Sequence, residues 1–275
     1  MISFVGGGPG AADLLTVRAV RRLAAADVVV WASSLIPSEV LSDCDPQARI
    51  YDSAGMTLED VLAIYAAHPD ADIVRLHSGD VSIFSSITEQ IGWCEQAGRE
   101  WEIVPGVGSL AAACALAGVE LTWPTVSQTV VLTRLGGGRT AESMRPGESV
   151  AELARTGATM AVYLSAARPE QLRDELLDEG RGYPPGTPAV IVAKASWPDE
   201  VVIWTTVGEL PEALAGTGIR TVALILVGAA LAPTTDGDVP RSRLYDPRYS
   251  HGCRLRSAEG STVGRPIPVA KRRRP

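Results

Sequence analysis

The stretch Ile2-Ser3-Phe4-Val5-Gly6-Gly7-Gly8-Pro9-Gly10 decides the fold class, because it is a short apolar run that stops in glycines. A run of this length bounded by turn residues reads as a buried strand. It is followed by a helical stretch over Leu14–Ala26, with Leu15, Ala19 and Leu23 on one face, and then by a fully apolar strand over Val28–Trp31. The alternation continues with a helix over Thr57–Ala67, a strand over Ile73–Leu76, a helix over Ile83–Gln96, a strand over Trp101–Val104 and a helix over Leu110–Leu116. Short apolar strands separated by helices imply β-α-β units and a parallel sheet covered on both faces.

The pattern pauses around Gly118–Pro124 and restarts. Strands are expected over Thr129–Thr133 and Met160–Ser165, with a glycine-rich loop over Gly136–Gly147 and helices over Glu148–Thr156 and Pro169–Glu179. Ala189–Lys194 and Val201–Thr206 flank a turn short enough for an antiparallel hairpin. A helix over Gly208–Leu214 and a strand over Val222–Val227 complete the series. The expected architecture is two α/β domains with mostly parallel sheets. The first domain takes residues 1–117, a linker 118–126 and the second domain 127–250. Residues 251–275, rich in Pro, Arg, Ser and Gly, are expected to be a disordered basic tail.

Bulk properties narrow the function. The 275 residues are 46% hydrophobic and 21% charged, which suits an ordinary globular core. No apolar run approaches the ~20 residues of a membrane span, and the opening segment reads as a strand instead of a signal peptide. The four cysteines and three histidines have no metal-ligand spacing, so no metal is expected, and the cysteines suit a reduced cytoplasmic setting. The net charge of −7 is uneven: residues 254–275 hold seven basic residues and one acid, a net +6, which leaves −13 on residues 1–253. An acidic body argues against a nucleic-acid-binding surface.

Three loops follow strands and precede helices. Gly6, Gly8 and Ala11 satisfy a G-x-G-x-x-A dinucleotide fingerprint. Against that reading, Pro9 removes an N–H donor, and no acid ends the second strand, which runs Val28-Val29-Val30 into Trp31-Ala32-Ser33. Ser78-Gly79-Asp80-Val81-Ser82-Ile83-Phe84 places Asp80 where it either accepts from a ligand or caps the following helix. Pro105-Gly106-Val107-Gly108-Ser109 opens a helix of small residues, Leu110-Ala111-Ala112-Ala113. The carboxyl ends of strands are where open α/β sheets bind ligands.

Taken in order, Val5–Thr16, Gly79-Asp80, Pro105–Ser109, Leu132–Gly136, Tyr163-Leu164-Ser165, Lys194–Glu200 and Leu224–Gly228 resemble the motifs of the tetrapyrrole methylase family over residues 1–250. Glu120–Thr129, the Gly137–Thr140 loop and Leu244–His251 resemble the branch of that family that methylates corrin precursors in cobalamin biosynthesis. Two positions depart from the family pattern: Val81 stands where many relatives have Pro, and Gly108 where many have Ser. The resemblance implies a homodimer of two-domain subunits, S-adenosylmethionine in the interdomain cleft and a tetrapyrrole polycarboxylate in an adjoining trough.

Carried over by motif, the resemblance implies cofactor contacts at Pro9, Ser78, Gly79, Asp80, Ile83, Gly108, Ser109, Leu164, Ala195 and Ala223. Arg134 and Arg168 are the arginines expected to meet substrate carboxylates, because a planar fork suits that group. His251 and Tyr249 either line the trough or pack. Methyl transfer from a sulfonium needs orientation more than acid–base groups, so no catalytic base is assigned. The alternatives left open are an NAD(P)-dependent oxidoreductase, a methyltransferase of the uroporphyrinogen-III type and a non-enzymatic small-molecule binder.

Overall fold

The computed structural model describes residues 1–137, 144–232, 242–246 and 249–250. The first sheet consists of β1 (Ile2–Gly6), β2 (Val28–Trp31), β3 (Arg49–Asp52), β4 (Ile73–His77) and β5 (Trp101–Val104). Its order is β3-β2-β4-β1-β5 and every neighbouring pair is parallel. Strand alternation divides the apolar residues between two faces. Val5, Val29, Val74 and Leu76 pack on Ala19 and Leu23 of α1 (Val17–Ala24). Ile2, Phe4, Val28, Val30 and Ile73 pack on Val61 and Tyr65 of α2 (Leu58–Ala67) and Cys94 of α3 (Thr88–Gln96). Leu23 is fully buried, and truncating such a side chain costs about 2–5 kcal/mol.

Caps set the helix starts. The Thr16 hydroxyl accepts from the Ala19 N–H at 3.1 Å, so α1 begins at Val17, three residues later than the apolar pattern suggests. The helix expected from Ile83 begins only at Thr88, because residues 81–87 follow a tight turn at Asp80 and hold Phe84 and Ser86 at positive φ. The edge strand β3 was not expected, since its polar ends hide it among loop residues.

The helix α4 (Ser109–Ala117) closes the first series and ends at Gly118 in the left-handed conformation. Its small face packs Ala113 against Ala161, Val190, Val192, Leu224 and Leu226 of the second sheet. That sheet comprises β6 (Val130–Arg134), β7 (Thr159–Tyr163), β8 (Pro188–Ala193), β9 (Val201–Thr206) and β10 (Ala223–Val227), ordered β6-β7-β10-β8-β9. Its other face is covered by α5 (Val150–Ala154), α6 (Pro169–Leu177) and α7 (Leu210–Leu214).

The two-domain α/β class and the β8–β9 hairpin are as expected, but the pairing in the second sheet needs a correction. β6, β7 and β8 share one direction, yet β10 lies between β7 and β8 and runs antiparallel to both, so β6–β7 is the one parallel pair. The hairpin reverses the chain, the α7 crossover keeps the reversed direction, and β10 takes it into the sheet. Among the described residues, no helix is long and apolar enough to cross a membrane.

Candidate functional site

Three loops meet at the carboxyl edge of the first sheet. Gly8 and Gly79 exchange backbone bonds, Gly8 N–H to Gly79 O at 3.1 Å and Gly79 N–H to Gly8 O at 2.7 Å. Both glycines have positive φ, a conformation costly for other residues. The β1 and β5 loops touch at Gly6, where a Cβ would stand 2.6 Å from the Gly106 Cα. Glycine is therefore required here for contact between backbones.

Asp80 fastens the third side of this junction. Its carboxylate accepts from the Gly106 N–H at 2.9 Å and from the Ser82 N–H at 2.9 Å, with the Ser82 hydroxyl as a further donor. Burial raises its pKa, but the Ser82 hydroxyl and the N–H groups of Gly106, Ser82 and Val81 outweigh this and hold it below the ordinary value. Asp80 does not cap the next helix, which starts eight residues on at Thr88. It ties the β4 loop to the β5 loop.

The same geometry speaks against a dinucleotide. The Gly7 N–H donates to His77 O, the Gly8 N–H to Gly79 O and the Ala11 N–H to the Ser196 hydroxyl. Those three donors are not available to a pyrophosphate, and α1 starts only at Val17, away from the glycines.

Across from these loops lies an edge of the second sheet. Ala223 pairs with Ala193 and Ile225 with Val162, so the start of β10 lies beside the ends of β7 and β8. Leu164, Lys194, Ser196 and Val222 cluster there at positive φ. Strain of this kind costs of order 1–3 kcal/mol per residue and concentrates at ligand sites. This edge carries Leu164, Ala195 and Ala223, and Leu164 is 69% exposed.

Two hydrogen bonds and a ring contact among the described residues join the two edges. The Trp197 indole N–H donates to Pro9 O at 2.9 Å, and Ser196 accepts from Ala11 at 3.0 Å. The Phe84 and Tyr163 rings lie 5.2 Å apart. Gly108 is the N-cap of α4 with no side-chain cap, so the missing hydroxyl leaves that helix start open toward the cleft. Pro9, Ser78, Gly79, Asp80, Ile83, Gly108 and Ser109 thus belong to the loops of one wall, and Leu164, Ala195 and Ala223 to the other. Tyr163, Ser196, Trp197 and Phe84 complete the cleft without having been singled out, although each lies within or beside a recognised motif.

The arginines divide. Arg134 ends β6 directly beside Tyr163, on the cleft edge. Arg168 donates to Gly136 O at 2.7 Å and to Gln171 Oε1 at 3.0 Å, which pins the start of the glycine-rich loop to α6. Tyr249 carries the Arg243 guanidinium over its ring, 5.1 Å from the centroid. Gly138, Arg139, Thr140, Arg248, His251 and the basic tail lie outside the described residues. His77, at the end of β4, is buried; desolvation first and Arg75 second push its pKa down to about 3, so it is neutral at ordinary pH.

The sequence profile of the tetrapyrrole (corrin/porphyrin) methylases matches residues 1–211. The chain belongs to that family. A precorrin-4 C(11)-methyltransferase of Rhodococcus erythropolis is 44% identical over 89% of this chain and 96% of its own length. Among solved structures, a cobalt precorrin-4 methyltransferase of cobalamin biosynthesis superposes with a TM-score of 0.79 at 38% identity, covering 84% of this chain and 96% of that one. The uroporphyrin-III C-methyltransferase of Thermus thermophilus, in complex with S-adenosylhomocysteine, gives 0.69 at 27% identity over 84% and 98%. As a tetrapyrrole methylase, this protein is an S-adenosylmethionine-dependent methyltransferase.

Proposed function

We propose that this methylase transfers the methyl group of S-adenosylmethionine to carbon 11 of precorrin-4, or of its cobalt form, in cobalamin biosynthesis. The observation that carries this reading is the 44% identity to a precorrin-4 C(11)-methyltransferase along nearly the full length of both chains. The cleft fits the methyl donor. Its walls offer the Ser78 and Ser109 hydroxyls, backbone at Gly79 and Gly108, and apolar surface at Ile83, Leu164, Ala195 and Ala223. A Cβ on Gly108 would approach only the Asp80 Cβ, at 3.8 Å, which leaves room beside the α4 start. When bound, S-adenosylmethionine supplies an electrophilic methyl group on a sulfonium.

The protein's part is orientation, which supplies up to ~7–11 kcal/mol in well-organised reactions. The Trp197–Pro9 and Ser196–Ala11 bonds fix the distance between the walls, and Phe84 on Tyr163 limits water at the rim. Arg134, on the same edge, is placed to meet a substrate carboxylate, and Arg168 supports the loop beside it. We assign the domains to residues 1–117 and 127–250, joined by 118–126, and the working form to a cytoplasmic homodimer. The free thiols of Cys44, Cys94 and Cys114 agree with a reducing setting. Metal-free and cobalt precorrin-4, each incubated with methyl-labelled S-adenosylmethionine, test the reaction. Label at carbon 11 of either is expected, and label on uroporphyrinogen III alone overturns the assignment.

A further inference from the structure

Away from the cleft, on the α2/α3 face of the first sheet, lies a cavity of about 230 Å³. Its wall includes Ser53, Thr57, Arg75, Ser86, Glu89 and Gln90. Arg75 is the middle residue of β4, and alternation turns it to the same face as Ile73 and His77. One terminal nitrogen donates to Ser53 Oγ at 2.7 Å and to Val30 O at 3.3 Å. Its Nε is buried and donates to nothing, and no carboxylate pairs with the guanidinium among the described residues.

Such a cation is costly unless a counter-charge arrives, because a guanidinium withdrawn from water needs an anion or a full set of acceptors. The neighbouring groups do not provide one. Burial holds the Tyr65 phenol protonated, and its hydroxyl is given to Gln90 Oε1 at 2.7 Å. His77 is neutral. Burial lowers the Arg75 pKa and only the Tyr65 coulombic effect opposes it. Glu89 is exposed at the rim.

The opposite wall is rich in donors. The first turn of α3 has no side-chain cap, since its N-cap is Ile87, and Ser86 stands just before it with a hydroxyl that makes no hydrogen bond among the described residues. We propose that this cavity binds a small oxyanion, a carboxylate or phosphate group, held by Arg75 together with Ser86 and the start of α3. The second terminal nitrogen of the guanidinium donates to nothing among the described residues and, unlike Nε, is not buried, so it is the donor open to the cavity, and a charge-assisted bond from it suits either group. The bound anion joins β4 to the 81–87 segment, whose Ser85 hydroxyl already donates to Asp80 O at 3.2 Å and whose Ile83 and Phe84 stand at the cleft rim. Its source is either a free anion or a carboxylate arm of the tetrapyrrole.

Calorimetric titration of inorganic phosphate into the full-length protein, against chloride at matched ionic strength, tests this without methyl donor or tetrapyrrole. Failure here therefore leaves the methyltransferase reading untouched. Saturable binding at one site is expected, weakened about tenfold or more in Arg75→Gln. Glu89→Gln removes a repelling carboxylate from an exposed position and is expected to tighten binding about threefold, a gain that misfolding does not imitate. Phosphate that binds no better than chloride, or binding unchanged in both variants, overturns the proposal. In turnover assays, a rise in the tetrapyrrole KM with phosphate and in Arg75→Gln identifies the substrate arm as the source. An unchanged KM with retained phosphate binding identifies a free anion.

Discussion

The indole N–H of Trp197 donates to the carbonyl oxygen of Pro9 at 2.9 Å, and this bond spans the two sheets' loops at the mouth of the cleft. The indole ring also occupies the space that a Cβ on Gly10 would need, so the glycine and the tryptophan are matched. A neutral hydrogen bond of this kind contributes about 0.5–1.5 kcal/mol. Trp197→Phe keeps most of the ring and removes the donor. It is expected to lower S-adenosylhomocysteine affinity by about threefold to tenfold in calorimetry, with a modest fall in melting temperature. Unchanged affinity would show that the clamp has no bearing on the cleft.

Gly6 tests the backbone junction. An Ala there brings its Cβ to 2.6 Å from Gly106 Cα and 2.8 Å from Gly79 O, both backbone atoms that cannot rotate away. Overpacking costs typically 1–3 kcal/mol, and a chain of this size loses about 2–4 °C of melting temperature per kcal/mol. Gly55, whose Cβ would meet nothing, is the control, and Gly55→Ala is expected to melt near wild type. Equal melting of both variants would separate the close glycine contact from stability.

Asp80 gives a pH dependence with a defined sign. Its folded pKa lies below the ordinary carboxylate value, so its stabilising effect is present above that value and is lost as pH falls through the folded one. The melting-temperature gap between wild type and Asp80→Asn should be constant from neutral pH down to roughly pH 5 and shrink in more acid solution. A gap that widens on acidification contradicts the hydrogen bonds from Gly106 and Ser82. The same variant is expected to raise the KM for the methyl donor, because the Gly106 loop leads directly into Gly108 and Ser109.

The strand ends that build this cleft were legible in the sequence because apolar runs stop abruptly at Gly6, Ser78 and Pro105. Periodicity carries that signal, and the ligand edge of a parallel sheet follows from it. What it could not carry is long-range choice. Whether β10 joins at an edge or slips between β7 and β8 depends on the hairpin reversal and the crossover, and neither leaves a mark on Ala223–Val227 itself. Arg49–Asp52 escaped because an edge strand needs only half of its residues to be apolar. Trp197 and Tyr163 lay in view inside recognised motifs, but their partners Pro9 and Phe84 are remote in the chain, and single-sequence spacing does not reveal such pairs.

The two arginines should separate substrate binding from loop support. Arg134 ends β6 next to Tyr163, on the edge that faces the cleft, whereas Arg168 holds Gly136 O and Gln171 from the start of α6. If Arg134 pairs with a carboxylate in a partly desolvated trough, truncating one member of the pair removes about 2–5 kcal/mol. Arg134→Ala should then raise the KM for the tetrapyrrole and leave that for S-adenosylmethionine unchanged. Arg168→Ala instead frees the loop: the Gly136 carbonyl loses a charged donor, worth about 1.5–3 kcal/mol, so melting temperature falls along with turnover. Arg168→Lys restores the charge but not the forked geometry shared between Gly136 and Gln171, and should recover stability only in part. Steady-state kinetics with each ligand varied in turn, beside thermal melts, read both effects. A tetrapyrrole KM unchanged in Arg134→Ala but raised in Arg168→Ala, with no loss of stability, would move the substrate contact to Arg168.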